Sequence, residues 1–492
     1  MLELAVLALA APKRGAVAVP EGPDGAGETL GYRFEPLAKG GVLAGLGAGQ
    51  LVLIAVSVLV AFLVTREVPG TGGLVAAAGV VALAGAACRP VNGRSPLQWA
   101  AVALAFVCRP KVAVSVPRGH VAGCPVLGLP AKTFIPGAYV TEVGPTGADG
   151  PLGVVLDEGF GSACAIVRAR GGEFCLLDGP GKERRLAAWA GVLESLANQK
   201  SALVRVQWCQ RALPGDATSL LEHLRLAGDP ASPSFAGQRD LLESAGARSW
   251  RHETLLVVGV RSPVSHRHGR VPPQVASELR NQLGALRSQL HSAGIACDGP
   301  LDAEGTASAL GASLVPRLAR YRGCHPWPLA VEEHWAQVRV DGWWHRTYWV
   351  AQWPRSRVGP DFLSPLLVGR GRRSFSVVMA PVPPERAARD AESSRTAQLA
   401  EAQLRAQGGF LETARQRREA EAVEGREAEL AQGRGAYKLA GYVSVSAESN
   451  EELQRSCAEL ERAAGAARLC LSVLYGHQKE ALSWVLPLGR GL

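Results

Sequence analysis

The chain has 492 residues, of which 47% are hydrophobic and 20% charged, so it is long enough for two or three domains with cores of their own. Its formal net charge of +9 allows an anionic partner, such as membrane head groups or nucleic acid, but does not require one. The ten cysteines include no Cys-x-x-Cys pair, which excludes that type of site and favours reduced thiols acting as small apolar side chains.

The chain begins with a Gly- and Pro-rich segment, and two long uncharged runs follow it. Residues 1–38 predict a flexible tail, and residues 39–110 predict a membrane unit. No charged residue occurs from Gly40 to Thr65 or from Val68 to Cys88, and Pro and Gly residues mark a turn between the two runs. Because a membrane-spanning helix needs about 20 apolar residues, the sequence predicts an N-terminal transmembrane helical hairpin.

Basic residues flank this hairpin on its outer sides, with Arg33 and Lys39 before it and Arg89 and Arg94 after it. Lys and Arg collect on the cytoplasmic side of membranes. We therefore expect the protein in the inner (cytoplasmic) membrane, with both termini and the soluble body in the cytoplasm. The apolar run at 95–108 is too short to cross and predicts a helix lying in the membrane interface.

Three glycines, Gly41, Gly45 and Gly49, are spaced four residues apart at the start of the first run. Glycines at this spacing share one helix face and allow another backbone to approach closely, so they are candidates for membrane helix packing. A flexible entry to the helix is the alternative.

Residues 111–330 predict a first cytoplasmic α+β domain. Strand and helix patterns alternate along it, at 165–169, 182–199, 202–208, 253–260 and 275–290. Such β-α-β pieces predict a ferredoxin-like α+β sandwich with helices packed on one face of a sheet. A loop region is expected near 213–250.

Residues 331–492 predict a second cytoplasmic α+β domain. The Asp341-Gly342 pair between two strand-like runs is a strong hairpin signal, and Ser449 is expected to cap a helix. Residues 385–435 are mostly Ala, Arg, Glu and Gln around a Gly-Gly pair. They predict an antiparallel helical pair inserted between two neighbouring strands.

The sequence shows no constellation of catalytic residues. Lys182 lies in a glycine-containing turn, but Leu176 and Glu183 stand where a P-loop needs Gly and Ser or Thr. Cys324, His325 and His334 lack the paired spacing of metal ligands. We therefore expect a protein that is not an enzyme and that has no cofactor or metal site.

Four tryptophans crowd one predicted hairpin, namely Trp343, Trp344, Trp349 and Trp353. Large aromatic side chains at this density favour hairpin packing or a protein partner interface. Stacking on nucleic acid bases is a further alternative.

The order of parts resembles proteins of type IV secretion systems. The hairpin, preceded by Tyr32–Leu37 and followed by Pro96–Trp99, resembles the PrgI-type inner-membrane subunit. The body resembles the N-terminal, non-motor half of the conjugation assembly ATPases, through the helix at 182–199, the helical pair at 385–435 and the ending Gly476–Leu488. The chain thus resembles an actinobacterial conjugal-transfer membrane protein in which both regions are fused.

This resemblance implies a structural inner-membrane subunit of a conjugative DNA-transfer machine that anchors or scaffolds a separate motor ATPase. The implied partners are membrane lipid, that ATPase, and further copies of the chain or other secretion subunits. Two alternatives remain open: a type VII secretion membrane component, or a membrane-tethered nucleic-acid-binding protein. Direct contact with nucleic acid is undecided by the sequence.

Overall fold

A computed structural model describes residues 48–67, 70–88, 95–114, 127–128, 134–145, 150–170, 174–198, 202–215, 218–263, 271–315, 327–354, 358–369, 371–407 and 435–492, with four isolated helical residues between 408 and 434. These residues fall into two compact units, which meet in the chain at Pro110 and Lys111.

The first unit is helical. It consists of α1 (Ala48–Glu67), α2 (Thr71–Cys88) and α3 (Pro96–Cys108), and α1 packs against α2. The start of α3 is strongly specified, because Ser95 and Gln98 form a reciprocal capping box with Pro96 at the first helical position.

The predicted transmembrane hairpin is overturned. Among the residues that the structure describes, no helix is long and apolar enough to cross a membrane. The uncharged part of α1, Ala48–Thr65, and the whole of α2 have 18 residues each. The first eight residues of the predicted run, 40–47, lie outside the described residues.

The second unit is an α+β body built on one antiparallel sheet, as far as the described residues show it. Its strands are β1 (Val112–Val114), β2 (Leu127–Gly128), β3 (Ala138–Val143), β4 (Leu152–Asp157), β5 (Ser162–Ala169), β6 (Leu203–Pro214), β7 (Trp250–Arg261), β8 (Cys297–Pro300), β9 (Ala330–Glu333), β10 (Val338–Val340), β11 (Trp343–Gln352), β12 (Arg372–Val382), β13 (Ala436–Ala447) and β14 (Cys470–Val473). The strand order is β1-β9-β10-β11-β13-β12-β6-β7-β5-β4-β3-β2, and β14 and β8 pair with β11 and β5.

Nine described helices belong to the body. They are α4 (Gly179–Asn198), α5 (Thr218–Ala227), α6 (Pro233–Arg248), α7 (Pro273–Ser292), α8 (Ala303–Leu314), α9 (Ser364–Leu367), α10 (Pro384–Gln407), α11 (Asn450–Ala466) and α12 (Gln478–Val485). A short 3₁₀ turn, Phe174–Leu176, precedes α4.

Two ferredoxin-like βαββαβ modules lie side by side in this sheet. The first has the spatial order β6-β7-β5-β8, and the second has the equivalent order β12-β13-β11-β14. The modules join where β6 pairs with β12, for example at Ala212 and Arg373. The sheet therefore runs without interruption from the first predicted domain into the second.

Helices cover both faces of the sheet, whereas the sequence predicted helices on one face only. On one face α4, α7 and α11 enclose the larger core, in which Trp189 and Trp208 meet edge to face at 5.1 Å. On the other face α8 and α12 enclose a second core. The reason is visible in β4, whose six residues are all buried: strands that are apolar on both sides must be covered on both sides.

Two local predictions are confirmed. Asp341 and Gly342 have φ values of 45° and 91°, the positive values that a tight two-residue hairpin turn requires. Ser449 Oγ accepts a hydrogen bond from Glu452 N at 3.2 Å and caps α11.

The predicted loop near 213–250 is wrong, because this region contains α5 and α6. Asp229 and Pro230 form the turn between them, and Pro233 begins α6, a position where proline favours a helix. In this region Pro230 lies in the turn between the helices and Pro233 marks the start of α6.

The insertion at 385–435 leaves and re-enters the sheet at neighbouring points, as predicted, since Val382 pairs with Ala436. Its first helix is α10, in which Ala387 and Ala391 are buried. The second helix of the predicted pair lies outside the described residues apart from isolated positions.

Candidate interaction surface

The helical unit is packed with its small side chains inside and its large apolar side chains outside. Ser57 and Ala61 of α1 and Ala77 and Ala84 of α2 are buried. The exposed large side chains are Val52, Val56, Val58, Leu59, Val60, Phe62 and Leu63 of α1, Leu74, Val75, Val81 and Leu83 of α2, and Leu104 and Val107 of α3. A hairpin surrounded by water is expected to show the reverse arrangement.

The buried seam explains how the two helices approach each other. Small side chains let helix backbones pack closely, and the Ser57 hydroxyl is satisfied within α1 by donating to the Leu53 carbonyl at 2.6 Å. The large side chains are consequently left on the outer surface, where they form an apolar area of the kind that marks an interaction site. We call this surface the apolar hairpin face.

The glycine prediction falls largely outside the described residues. Gly41 and Gly45 are not described, and Gly49 lies in the first turn of α1. The described part of the seam contains Ser57, Ala61, Ala77 and Ala84, which sequence spacing did not single out.

The tryptophan prediction separates into two pairs. Trp343 and Trp353 are each 8% exposed and belong to the two cores. Trp344 and Trp349 are half-buried, and the Arg339 guanidinium lies 5.4 Å from the Trp344 ring centroid. Hairpin packing therefore accounts for the first pair, and only the second pair has ring surface available for a partner.

The segment that resembled a P-loop has a geometry unsuited to phosphate. At the start of α4 the Asp178 carboxylate accepts a hydrogen bond from Gly181 N at 2.9 Å, so negative charge already occupies the helix N-terminus. Lys182 Nζ lies 2.7 Å from Asp361 Oδ2, in an ion pair between the two modules. Leu176 is 83% exposed on the preceding turn.

Of the three residues considered for a metal, only His334 lies in the described part of the chain. His334 Nε2 lies 3.4 Å from Glu332, and its ring packs against Trp344. Cys324 and His325 lie outside the described residues. Within the part of the chain that is described, no group of three His, Cys, Asp or Glu is arranged to hold a metal ion.

A strap formed by Leu486–Leu492 crosses the sheet at the junction of the modules. The buried Gln207 side chain donates to the carbonyls of Trp484 and Leu486 and accepts from Gly489 N. At the far end Arg490 forms a buried ion pair with Asp157, at 2.5 and 2.8 Å. This arrangement leaves no local pattern in the sequence, because its partners are about 280 to 330 residues apart in the chain.

No model of a known protein family matches the chain, and no curated protein matches it.

Proposed function

We propose that this chain is a structural subunit of a type IV secretion or conjugative DNA-transfer machine, in which it scaffolds a separate motor ATPase. The apolar hairpin face is the observation that carries the proposal. A surface with this many exposed Val, Leu and Phe side chains is stable only when another apolar surface covers it. A chain with such a face requires a contact with lipid or with another protein.

We infer that membrane lipid covers the apolar hairpin face. The protein is then at the inner membrane, with its body on the cytoplasmic side. The apolar side chains point outward all round α1 and α2, whereas a single protein partner would need one stripe. Small residues in the seam and large ones outside are also the arrangement that hydrocarbon surroundings favour.

The motor function is assigned to a separate chain. Lys182, the residue that a P-loop would use on phosphate, is paired with Asp361, and Asp178 occupies the helix N-terminus. The scaffold's contribution is then to hold the motor in place through its body.

Lipid flotation tests the lipid contact. The full chain should float with vesicles of bacterial phospholipid, and a variant with Leu59→Gln and Phe62→Gln on the apolar hairpin face should float much less. A matched variant with Leu220→Gln and Leu241→Gln, which changes exposed leucines of the body, should float as the wild type does. Equal flotation of all three proteins, or none by the wild type, contradicts the lipid assignment.

Co-elution tests the scaffold role. The purified chain should co-elute with a P-loop ATPase of the same transfer system on size exclusion. The hairpin variant should retain this complex in detergent, because the body makes the contact. Separate elution of the wild-type chain and the ATPase contradicts the scaffold function and leaves the lipid result unaffected.

A further inference from the structure

A buried arginine–glutamate pair joins β6 and β7 beneath α8. Arg211 Nε and Nη2 lie 2.8 and 2.5 Å from Glu253 Oε2, and Arg211 Nη1 donates to the Ala309 carbonyl and to Ser313 Oγ. Both side chains are buried, at 4% and 9% exposure. The charges of Arg211 and Glu253 therefore cancel, and the Arg211 nitrogens all donate to acceptors within the fold.

Two further guanidiniums share the second oxygen of the same carboxylate. Arg168 Nε of β5 and Arg251 Nη2 of β7 lie 3.6 and 3.2 Å from Glu253 Oε1. Their side chains are 40% and 59% exposed. One carboxylate thus faces three guanidiniums, which leaves an excess of two positive charges. We call Arg168, Arg211 and Arg251 the arginine patch.

Within the described part of the chain, no acidic side chain other than Glu253 is paired with Arg168 or Arg251. Arg170, which follows the last residue of β5, pairs with Asp298 and adds no net charge. Burial of Glu253 would raise its pKa, but the three arginines lower the pKa below its ordinary value, so the carboxylate stays ionised and supplies one negative charge.

An external oxyanion would relieve this arrangement. Arg168 and Arg251 are held close to one oxygen atom and repel each other, and an anion between them can accept hydrogen bonds from both. Guanidinium forks match phosphate oxygens in geometry. Both arginines stand on strands of the central sheet, which fixes their positions before any ligand arrives.

We propose that the arginine patch binds the phosphate backbone of nucleic acid. The net charge of +9 attracts a polyanion at long range, and two partly exposed guanidiniums close to each other suit a linear polymer of phosphates. The contact is independent of base sequence, because it involves phosphate only. It does not rest on the scaffold function proposed above.

Fluorescence anisotropy with the full chain and a short labelled single strand of DNA tests this contact over a range of salt concentrations. The variant R168Q/R251Q should bind roughly tenfold more weakly or worse, as expected for lost hydrogen bonds to a charged group. Its slope of log K against log salt should fall by about 1.4, for two phosphates released. Arg211 still pairs with Glu253 in this variant, so the fold is retained, which the melting temperature checks.

Two variants serve as controls. R168K/R251K keeps the charge and should keep the salt slope. R386Q/R389Q removes the same charge from two exposed positions on α10 and should bind as the wild type does. Absence of saturable binding by the wild type, or equal binding by R168Q/R251Q, overturns the proposal. Polyglutamate is the second ligand in this assay. If R168Q/R251Q loses binding to polyglutamate but binds DNA as the wild type does, the patch binds an acidic polypeptide and the proposal is overturned.

Discussion

His345 has no exposed surface, and its titration should control how the stability of the body depends on pH between 7 and 5. The residue lies on β11, with Nδ1 2.8 Å from Ser446 Oγ. Burial, reinforced by the charge of Arg372, lowers the pKa of this histidine to about 3. The imidazole is therefore neutral in the folded protein at every pH in this window.

The sign follows from proton binding by the two states. The unfolded chain, in which a histidine has a pKa near 6.5, takes up a proton as the pH falls, and the folded state does not. The stability associated with neutral His345 is complete above about pH 6.5 and is lost progressively toward the folded pKa. Between pH 7 and pH 5 the loss is about 2 kcal/mol, at 1.36 kcal/mol per unit of pKa difference.

Guanidinium unfolding followed by tryptophan fluorescence at pH 7, 6 and 5 measures this loss. In His345→Gln the glutamine keeps a hydrogen-bonding group near Ser446 but does not titrate, so its free energy of unfolding should change by about 2 kcal/mol less over the window. The pKa of His252 is also lowered by burial, and its effect cancels because both proteins contain it. Equal pH dependence in the two proteins refutes the reasoning.

Three further predictions concern the body. Arg490→Ala leaves the Asp157 carboxylate buried without its ion-pair partner, so calorimetry should show that the free energy of unfolding falls by about 3–5 kcal/mol. A fall below about 1 kcal/mol would mean that the strap contributes little to stability. Lys182→Ala should lower the free energy of unfolding by at most about 1 kcal/mol, because Asp361, the partner in this ion pair, is half-exposed. Neither the wild type nor this variant should show saturable binding of fluorescent ATP. ATP binding by the wild type that disappears in the variant would contradict this prediction. Replacing residues 386–434 with a short Gly/Ser linker should leave a folded body, judged by circular dichroism, because the flanking strands stay paired. This variant should no longer co-purify with the motor ATPase or with copies of itself. Unfolding of the body would show that the insertion belongs to its core.

The sequence by itself determined the features that depend on neighbours within a few residues. The β-α-β alternation, the Asp341-Gly342 turn and the Ser449 cap were all predicted, because hydrophobic period, positive φ and capping geometry are local properties. The α+β class followed from these elements. The uncharged runs correctly indicated helices near the start of the chain, but no helix in the described part of the chain is long and apolar enough to cross a membrane.

The tertiary structure alone decided which distant residues meet. Pairing of β6 with β12 turned two βαββαβ modules into one sheet, and α8 and α12 covered the face that was expected to be open. Arg168, Arg211 and Glu253 come from three separate strands, and only the order of those strands places their charges together. Local pattern specifies an element, but strand pairing and face coverage depend on free energies summed over contacts far apart in the chain, which no short window of sequence contains.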